Sequence, residues 1–153
     1  MYAPPQLIDQ FEVLWRDRIA PHVKYGGGIS AELERLQSAL RLPLPPDYVR
    51  LQQLIGNRSK HVFPHLSCSI TDAERLTAEL PSILAQMGFE SGYMKDRALA
   101  FGETAYYVYF VDLATGLDDP MVFWFSRSRI GEGYVGRGSM MQVFLAHAEG
   151  RWG

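Results

Sequence analysis

The sequence predicts an α+β domain in which helices pack against an antiparallel sheet. Three observations carry that expectation. Apolar residues recur at helical spacing from the N-terminal region to about Met87. After Arg97 come short runs rich in β-branched and aromatic residues, parted by turn signals. A last helical stripe then follows Ser139. The 153 residues suffice for one domain with a substantial core, because a chain of this size buries about two-thirds of its unfolded surface. The whole chain, 1–153, is therefore expected as a single domain.

Leu7, Phe11, Leu14 and Trp15 mark one face of a helix over residues 5 to 19, which Pro21 ends. HVKYGGGIS reads as a loop. Its glycines, Gly26 to Gly28, lack the Gly-Lys-Ser/Thr ending and the preceding strand of a phosphate-binding loop. Ser30 is expected to cap a second helix. Glu32 and Glu34 lie near the positive end of its dipole, and Ile29, Leu33, Leu36 and Leu40 form its apolar stripe. Tyr48, Leu51, Leu54 and Ile55 make a third, stopped by Gly56-Asn57. HVFPHLSCSI, residues 61 to 70, is expected to be strand or extended chain. Thr71-Asp-Ala-Glu74 reads as a capping box. The helix behind it carries Ala73, Leu76, Leu80, Ile83, Leu84 and Met87, and Pro81 predicts a kink or a restart within it.

RALAFGE, AYYVYFVDL and MVFWFSRS read as strands, with ATGLDDP as a hairpin-type connection. Tyr107, Tyr109 and Val111 alternate against Tyr106, Val108 and Phe110. Both sets are apolar or aromatic, so this strand is expected in the middle of the sheet. GEGYVGRG either continues the sheet or loops out. Met140, Val143, Phe144 and His147 share a face of the closing helix.

Composition narrows the function. The chain is 47% hydrophobic and 21% charged, which argues against wholesale disorder. A net charge of -2 and a pI near 6.1 supply no basic field for nucleic acid, so direct binding to it is not expected. The single cysteine, Cys68, excludes an internal disulfide framework and suits a reducing compartment. It reads as a small buried apolar residue in a strand-like run. The N-terminal stretch lacks the basic start and apolar block of a secretory signal. No window approaches the roughly 18 uninterrupted apolar residues of a spanning helix. A cytoplasmic location away from membranes is expected.

The four histidines are His22, His61, His65 and His147. His61 and His65 have i, i+4 spacing, but Pro64 between them opposes the helix that a shared metal would need. Ser126 and Ser128, beside Arg127 and Arg129, lack the Gly-x-Ser-x-Gly elbow of a hydrolase. No catalytic residue, cofactor site or metal site is assigned.

LRLPLPPDYVRLQQLIGN, residues 40 to 57, holds three prolines in four positions. Residues before proline avoid helical geometry, so Leu42 to Pro45 becomes a stiff extended spacer. Pro46 suits the first helical position, where its missing N–H is no loss. Asp47 follows in the first turn, and Leu44 can staple onto Val49. The cluster stops one helix, starts the next and sets the angle between them.

These residues also carry a resemblance. Glu34-Arg35-Leu36, Leu44-Pro45-Pro46-Asp47-Tyr48, Leu51 and Gly56-Asn57 are similar to the signature of the SUKH superfamily, which includes the SMI/KNR family. Ala100-Phe101-Gly102-Glu103, Val111-Asp112-Leu113, Gly116, Pro120 to Phe123, and Phe144 with Leu145 resemble its later elements. The resemblance covers roughly residues 29 to 148. The turn is reversed, however, as Gly56-Asn57 where the family has asparagine-glycine. Gly102-Glu103-Thr104 also departs from its glycine-rich start with an aspartate, and residues 5 to 19 match no part of the pattern.

The resemblance implies a SUKH-like α+β fold and a non-catalytic, protein-binding role. Many bacterial members resemble immunity proteins that sit in the cytoplasm and neutralise a polymorphic toxin, often a nuclease. The leading expectation is such an immunity protein, with a toxin domain as partner. A regulatory adaptor or scaffold comes second, and a small hydrolase built from residues gathered in space comes third. The motif residues Leu44, Pro45, Asp47 and Tyr48 read as structural. The candidate partner-binding residues are Glu103, Tyr106, Asp112, Asp118, Asp119 and Trp124. Tyrosine and tryptophan dominate interface hot spots, and an acidic patch there would complement a basic cleft and speed encounter.

Overall fold

The computed structural model describes residues 6–19, 29–56, 59–90, 92–126, 128 and 133–150. The architecture is α+β, with helices on both faces of a four-stranded antiparallel sheet. The strands are β1 (Ala98–Glu103), β2 (Tyr107–Asp112), β3 (Met121–Ser126) and β4 (Gly133–Ser139), paired in chain order. The helices are α1 (Leu7–Leu14, continued by a π-helical turn Trp15–Ile19), α2 (Ser30–Ser38), α3 (Pro46–Ile55), the short α4 (Ser59–Val62), α5 (Ile70–Gln86) and α6 (Met140–Ala148). GEGYVGRG thus supplies the fourth strand. The expected loop at Gly26 to Gly28, Asn57, His22, Arg127 and Arg129 lie outside the described residues.

Strand alternation sorts the sheet into two faces. Leu99 and Phe101 of β1, Tyr109 and Val111 of β2, and Val122 of β3 join the larger core. That core also takes Ile8 and Phe11 of α1, Tyr48 and Leu51 of α3, and Phe144 of α6. Ala98, Ala100, Val108, Phe110 and Phe125 point the other way, onto Leu76, Leu80 and Leu84 of α5. Small side chains at 98 and 100 let α5 lie close over β1. β2 is the inner strand expected from its two apolar faces.

Three local expectations need correction. Ser30 is the first residue inside α2, not its cap. The cap position is Ile29, whose carbonyl accepts the first helical bond from Leu33 N–H (3.0 Å). Burying Ile29 fixes the entry of this helix. The capping box of α5 starts two residues early: Ser69 Oγ accepts from Asp72 N–H (3.1 Å), and Asp72 accepts from Ser69 N–H (3.3 Å). This register places Ile70 in the core as the first helical residue. Residues 61 to 70 are not a strand. The run starts inside α4, and only Ser67 pairs, through a single bridge to Glu103. Pro64 denies the run a continuous ladder. Of the two outcomes expected at Pro81, the restart does not occur, and α5 runs through it as one helix. The carbonyl of Thr77 loses its i+4 donor there, while the Thr77 hydroxyl accepts from Ala100 N–H (3.0 Å).

The outer edge of β1 is thereby closed. Thr77 takes the N–H of residue 100, and Ser67 exchanges both backbone bonds with Glu103 (2.8 and 3.1 Å). Gly102 makes room for this cover. A Cβ there would lie 3.1 Å from Leu66 Cδ1 and 3.3 Å from Cys68 Cβ. The β1–β2 register also slips between Ala100 and Gly102, a bulge beside Phe101, which alternation already sets in the larger core.

The proline cluster behaves as the sequence predicts. Pro46 is the first residue of α3, and Pro45 before it is extended (φ -58°, ψ 133°). Gly56 ends the helix at φ 58°. The spacer has a partner the sequence did not announce. Gln37 Nε2 donates to the Leu42 carbonyl (2.9 Å), and Gln37 Oε1 accepts from Leu44 N–H (2.8 Å). One side-chain amide thus satisfies the backbone of an extended segment as a neighbouring strand would.

Candidate functional site

The six candidate residues do not form one patch. Glu103 and Tyr106 lie at the β1–β2 turn. Asp112, Asp118 and Asp119 lie at the opposite end of the sheet, the length of β2 away, about 17 Å at strand rise. Trp124 sits between them on the larger-core face, half-buried and edge-on to Tyr107 (4.6 Å between centroids). Among the described residues both faces of the sheet carry helices. Helix α5 covers Val108, Phe110 and Phe125, and Phe123 stacks on Phe110 (5.5 Å).

Charge pairing thins the expected acidic patch further. Glu103 is held by Arg75 of α5 (2.5 Å). Asp112 takes a two-pronged bond from Arg97 (3.0 and 3.1 Å) and accepts from Ala114 N–H (2.9 Å), capping a short turn. Asp119 accepts from Met141 N–H at the start of α6 (2.8 Å). Asp118 is exposed and has no ion pair or hydrogen bond among the described residues. Tyr106, 68% exposed, stands at the other end of the sheet.

The Asp112 end gathers several segments into a rim. Arg41 N–H donates to the Asp96 carbonyl (2.9 Å), tying the spacer between α2 and α3 to the entrance of β1. Leu113 N–H donates to the Arg97 carbonyl (2.8 Å), and Met140 N–H to the Pro120 carbonyl (2.9 Å). Exposed apolar side chains stand on this rim: Leu117 (56%) and Met121 (46%) flank the Asp118-Asp119 pair. Phe89 and Tyr93 form an exposed stacked pair (4.8 Å) on the turn leading to β1.

Sequence reasoning set Asp47 aside as structural, and the structure buries it in the first turn of α3. Its residue is 8% exposed, and no hydrogen bond or ion pair reaches its carboxylate among the described residues. Burial pushes its pKa up to about 6, with the charges of Asp119 and then Asp118 adding to the rise. Arg50 acts the other way, but its guanidinium donates to Asp9 (2.9 Å) and to Glu12. In sequence Asp47 is one turn-starting acid among many, and its burial in the folded chain makes it unusual. Leu117 and Met121 were legible as apolar neighbours of an acidic pair.

Cys68 is buried, and burial pushes its thiol pKa up, away from the reactive thiolate. His147 is buried against the Tyr109 ring, and burial lowers its pKa to about 4, with His65 adding to the fall. His65 is exposed. Hollows of about 460 and 490 Å³ lie beside α1 and between α2 and α5, and neither is lined by histidine or cysteine. No group of three His, Cys, Asp or Glu among the described residues could hold a metal ion. No helix among them is long and apolar enough to cross a membrane.

The fold and the rim define an α+β chain with a mixed apolar and acidic surface at one end of its sheet. No family model, curated protein or solved structure matches this chain.

Proposed function

We propose that this chain is a SUKH-type protein-binding domain that acts in the cytoplasm as an immunity protein, neutralising a toxin domain by covering its active surface. The observation that carries the reading is the rim: Leu117 and Met121 stand exposed beside Asp118, a carboxylate with no bonded partner among the described residues. Exposed apolar residues beside an unpaired carboxylate fit a partner that is basic and partly apolar, as a nuclease cleft is. The order of elements and the Leu44-to-Tyr48 helix start support the family resemblance. The inert settings of Cys68 and His147 favour binding over chemistry.

The test is co-expression with toxins encoded beside the gene. Protection of the host and a stoichiometric complex on size-exclusion chromatography are expected. Neither protection nor complex with any of them would sink the immunity reading. A complex with a host regulatory protein instead would favour an adaptor role.

A further inference from the structure

The hollow of about 490 Å³ between α2 and α5 has a cause in the side chains that face it. The two helices run side by side in the same direction. Ile29 and Glu32 lie by Ser69 to Thr71, Arg35 bonds to Glu74 (2.9 and 3.0 Å), and Ala39 lies by Pro81. Beyond the Arg35–Glu74 pair the facing residues are short: Ser38 and Ala39 on α2, Ala78 and Pro81 on α5. They leave the space between the helices unfilled. Lys95 and Asp96 complete its lining, on a turn of unusual backbone. Met94 (φ 64°) and Asp96 (φ 59°) are left-handed without being glycine. The turn is pinned all the same. Met94 is buried in the smaller core, and Arg41 N–H donates to the Asp96 carbonyl (2.9 Å). Opposite charges thus line one hollow without neutralising each other. Arg35 engages Glu74 through Nε alone, which leaves both Nη groups open. The side chains of Lys95 and Asp96 have no hydrogen bond or ion pair among the described residues. Asp96 lies past the end of α2, beside Arg41, so it stands on the order of 10 Å from Arg35, which three extended residues span.

We propose that this hollow binds a short zwitterionic peptide, about three residues long, whose carboxylate takes the Nη groups of Arg35 and whose ammonium meets Asp96. The planar guanidinium suits a carboxylate, which it can hold by two parallel bonds. Lys95 donates to a peptide carbonyl. Leu36, Ala39, Ala78 and Pro81 supply the apolar wall that a binding pocket needs beside its few polar groups. A volume of about 490 Å³ falls within the range of small-ligand pockets. Because the turn at Lys95 and Asp96 is already pinned, little ordering is left to oppose binding. The proposal does not rest on the protein-binding reading, since none of Leu117, Asp118 and Met121 lines the hollow.

The test uses the full chain, nitrogen-15 labelled, titrated with trialanine, with its capped form N-acetyl-trialaninamide and with free alanine. Trialanine is expected to give saturable shifts at the amides of Arg35 to Ala39 and of Lys95 and Asp96. The capped peptide and free alanine should each bind about tenfold more weakly or worse, since each loses a charge-assisted contact. Arg35→Gln breaks only an exposed ion pair, and Asp96→Asn keeps a residue that tolerates left-handed backbone. Each should weaken trialanine binding about tenfold. Ala78→Leu places a good helix former at an exposed helical position and fills the hollow. It should abolish binding with the unfolding temperature unchanged. No saturable shift with trialanine, equal binding of the capped peptide or of alanine, or undiminished binding in Ala78→Leu would each overturn the site.

Discussion

At the scale of single residues, two buried titratable groups respond to pH in different ways. Asp47 has a folded pKa of about 6, above the ordinary carboxylate value, so folding favours its protonated form. Its opposition to folding is absent below about pH 4, grows from there to about pH 6, and is complete above. Asp47→Asn is therefore expected to stabilise the chain at pH 7 by on the order of 1–2 kcal/mol and to add nothing near pH 3.5. Urea unfolding at the two pH values checks this. His147 has a folded pKa lowered to about 4, so folding favours its neutral form. Its contribution is fully present above about pH 6.5 and is lost as pH falls toward about 4. In His147→Leu the acid limb should flatten by up to about 1.4 kcal/mol per pH unit, one proton's worth, in unfolding followed from pH 7 to pH 4. Neither group stood out in the sequence, because both shifts come first from burial in the folded chain, with Asp119 and Asp118 adding to one and His65 to the other.

At the scale of elements, sequence legibility followed the range of the forces. Helix and strand periodicity depends on neighbours a few residues away, so α1, α3, α6, β1, β2 and β3 were readable, as was Pro46 at the start of α3. The start of α5 was misplaced because two overlapping patterns, Ser69 to Asp72 and Thr71 to Glu74, both fit a capping box. Burial of Ile70 decides between them, and burial is not local. The run 61 to 70 has strand-like residues, but what it meets is the edge of β1 at a single bridge. Gly102 is the counterpart of that meeting. Gly102→Ala should force residues 66–68 outward and destabilise by about 1–3 kcal/mol, measured by thermal unfolding. The candidate site was legible in part: Asp118 and Asp119 lie on the rim, whereas Glu103 is at the far end of the sheet beside Arg75.

At the scale of the whole molecule, one sheet serves two cores. Val108 and Phe110 face α5, while Tyr109 and Val111 on the same strand face the packing of α1, α3 and α6. Loosening one face therefore loosens the strand the other depends on. Leu80→Ala, in the smaller core, is expected to cost about 2–5 kcal/mol. Unfolding should remain one transition, with circular dichroism and tryptophan fluorescence coinciding. Separated transitions would show that the faces unfold independently. Sequence alternation showed that β2 had two apolar faces, but it could not say that α5 would take the second.

The Gln37 clamp has a consequence for kinetics. An extended proline spacer held by the amide at both Leu42 and Leu44 has few conformations left before any partner arrives. Pro46 opens α3 two residues beyond that clamp, so the direction of the helix is settled early in folding. Gln37→Ala should destabilise the chain by about 1–3 kcal/mol, since a partly buried donor and acceptor both lose their bond. Stopped-flow refolding of Gln37→Ala should show a second effect, slower folding, because the spacer then has more conformations to search. One amide on α2 would then set how quickly α3 finds its place.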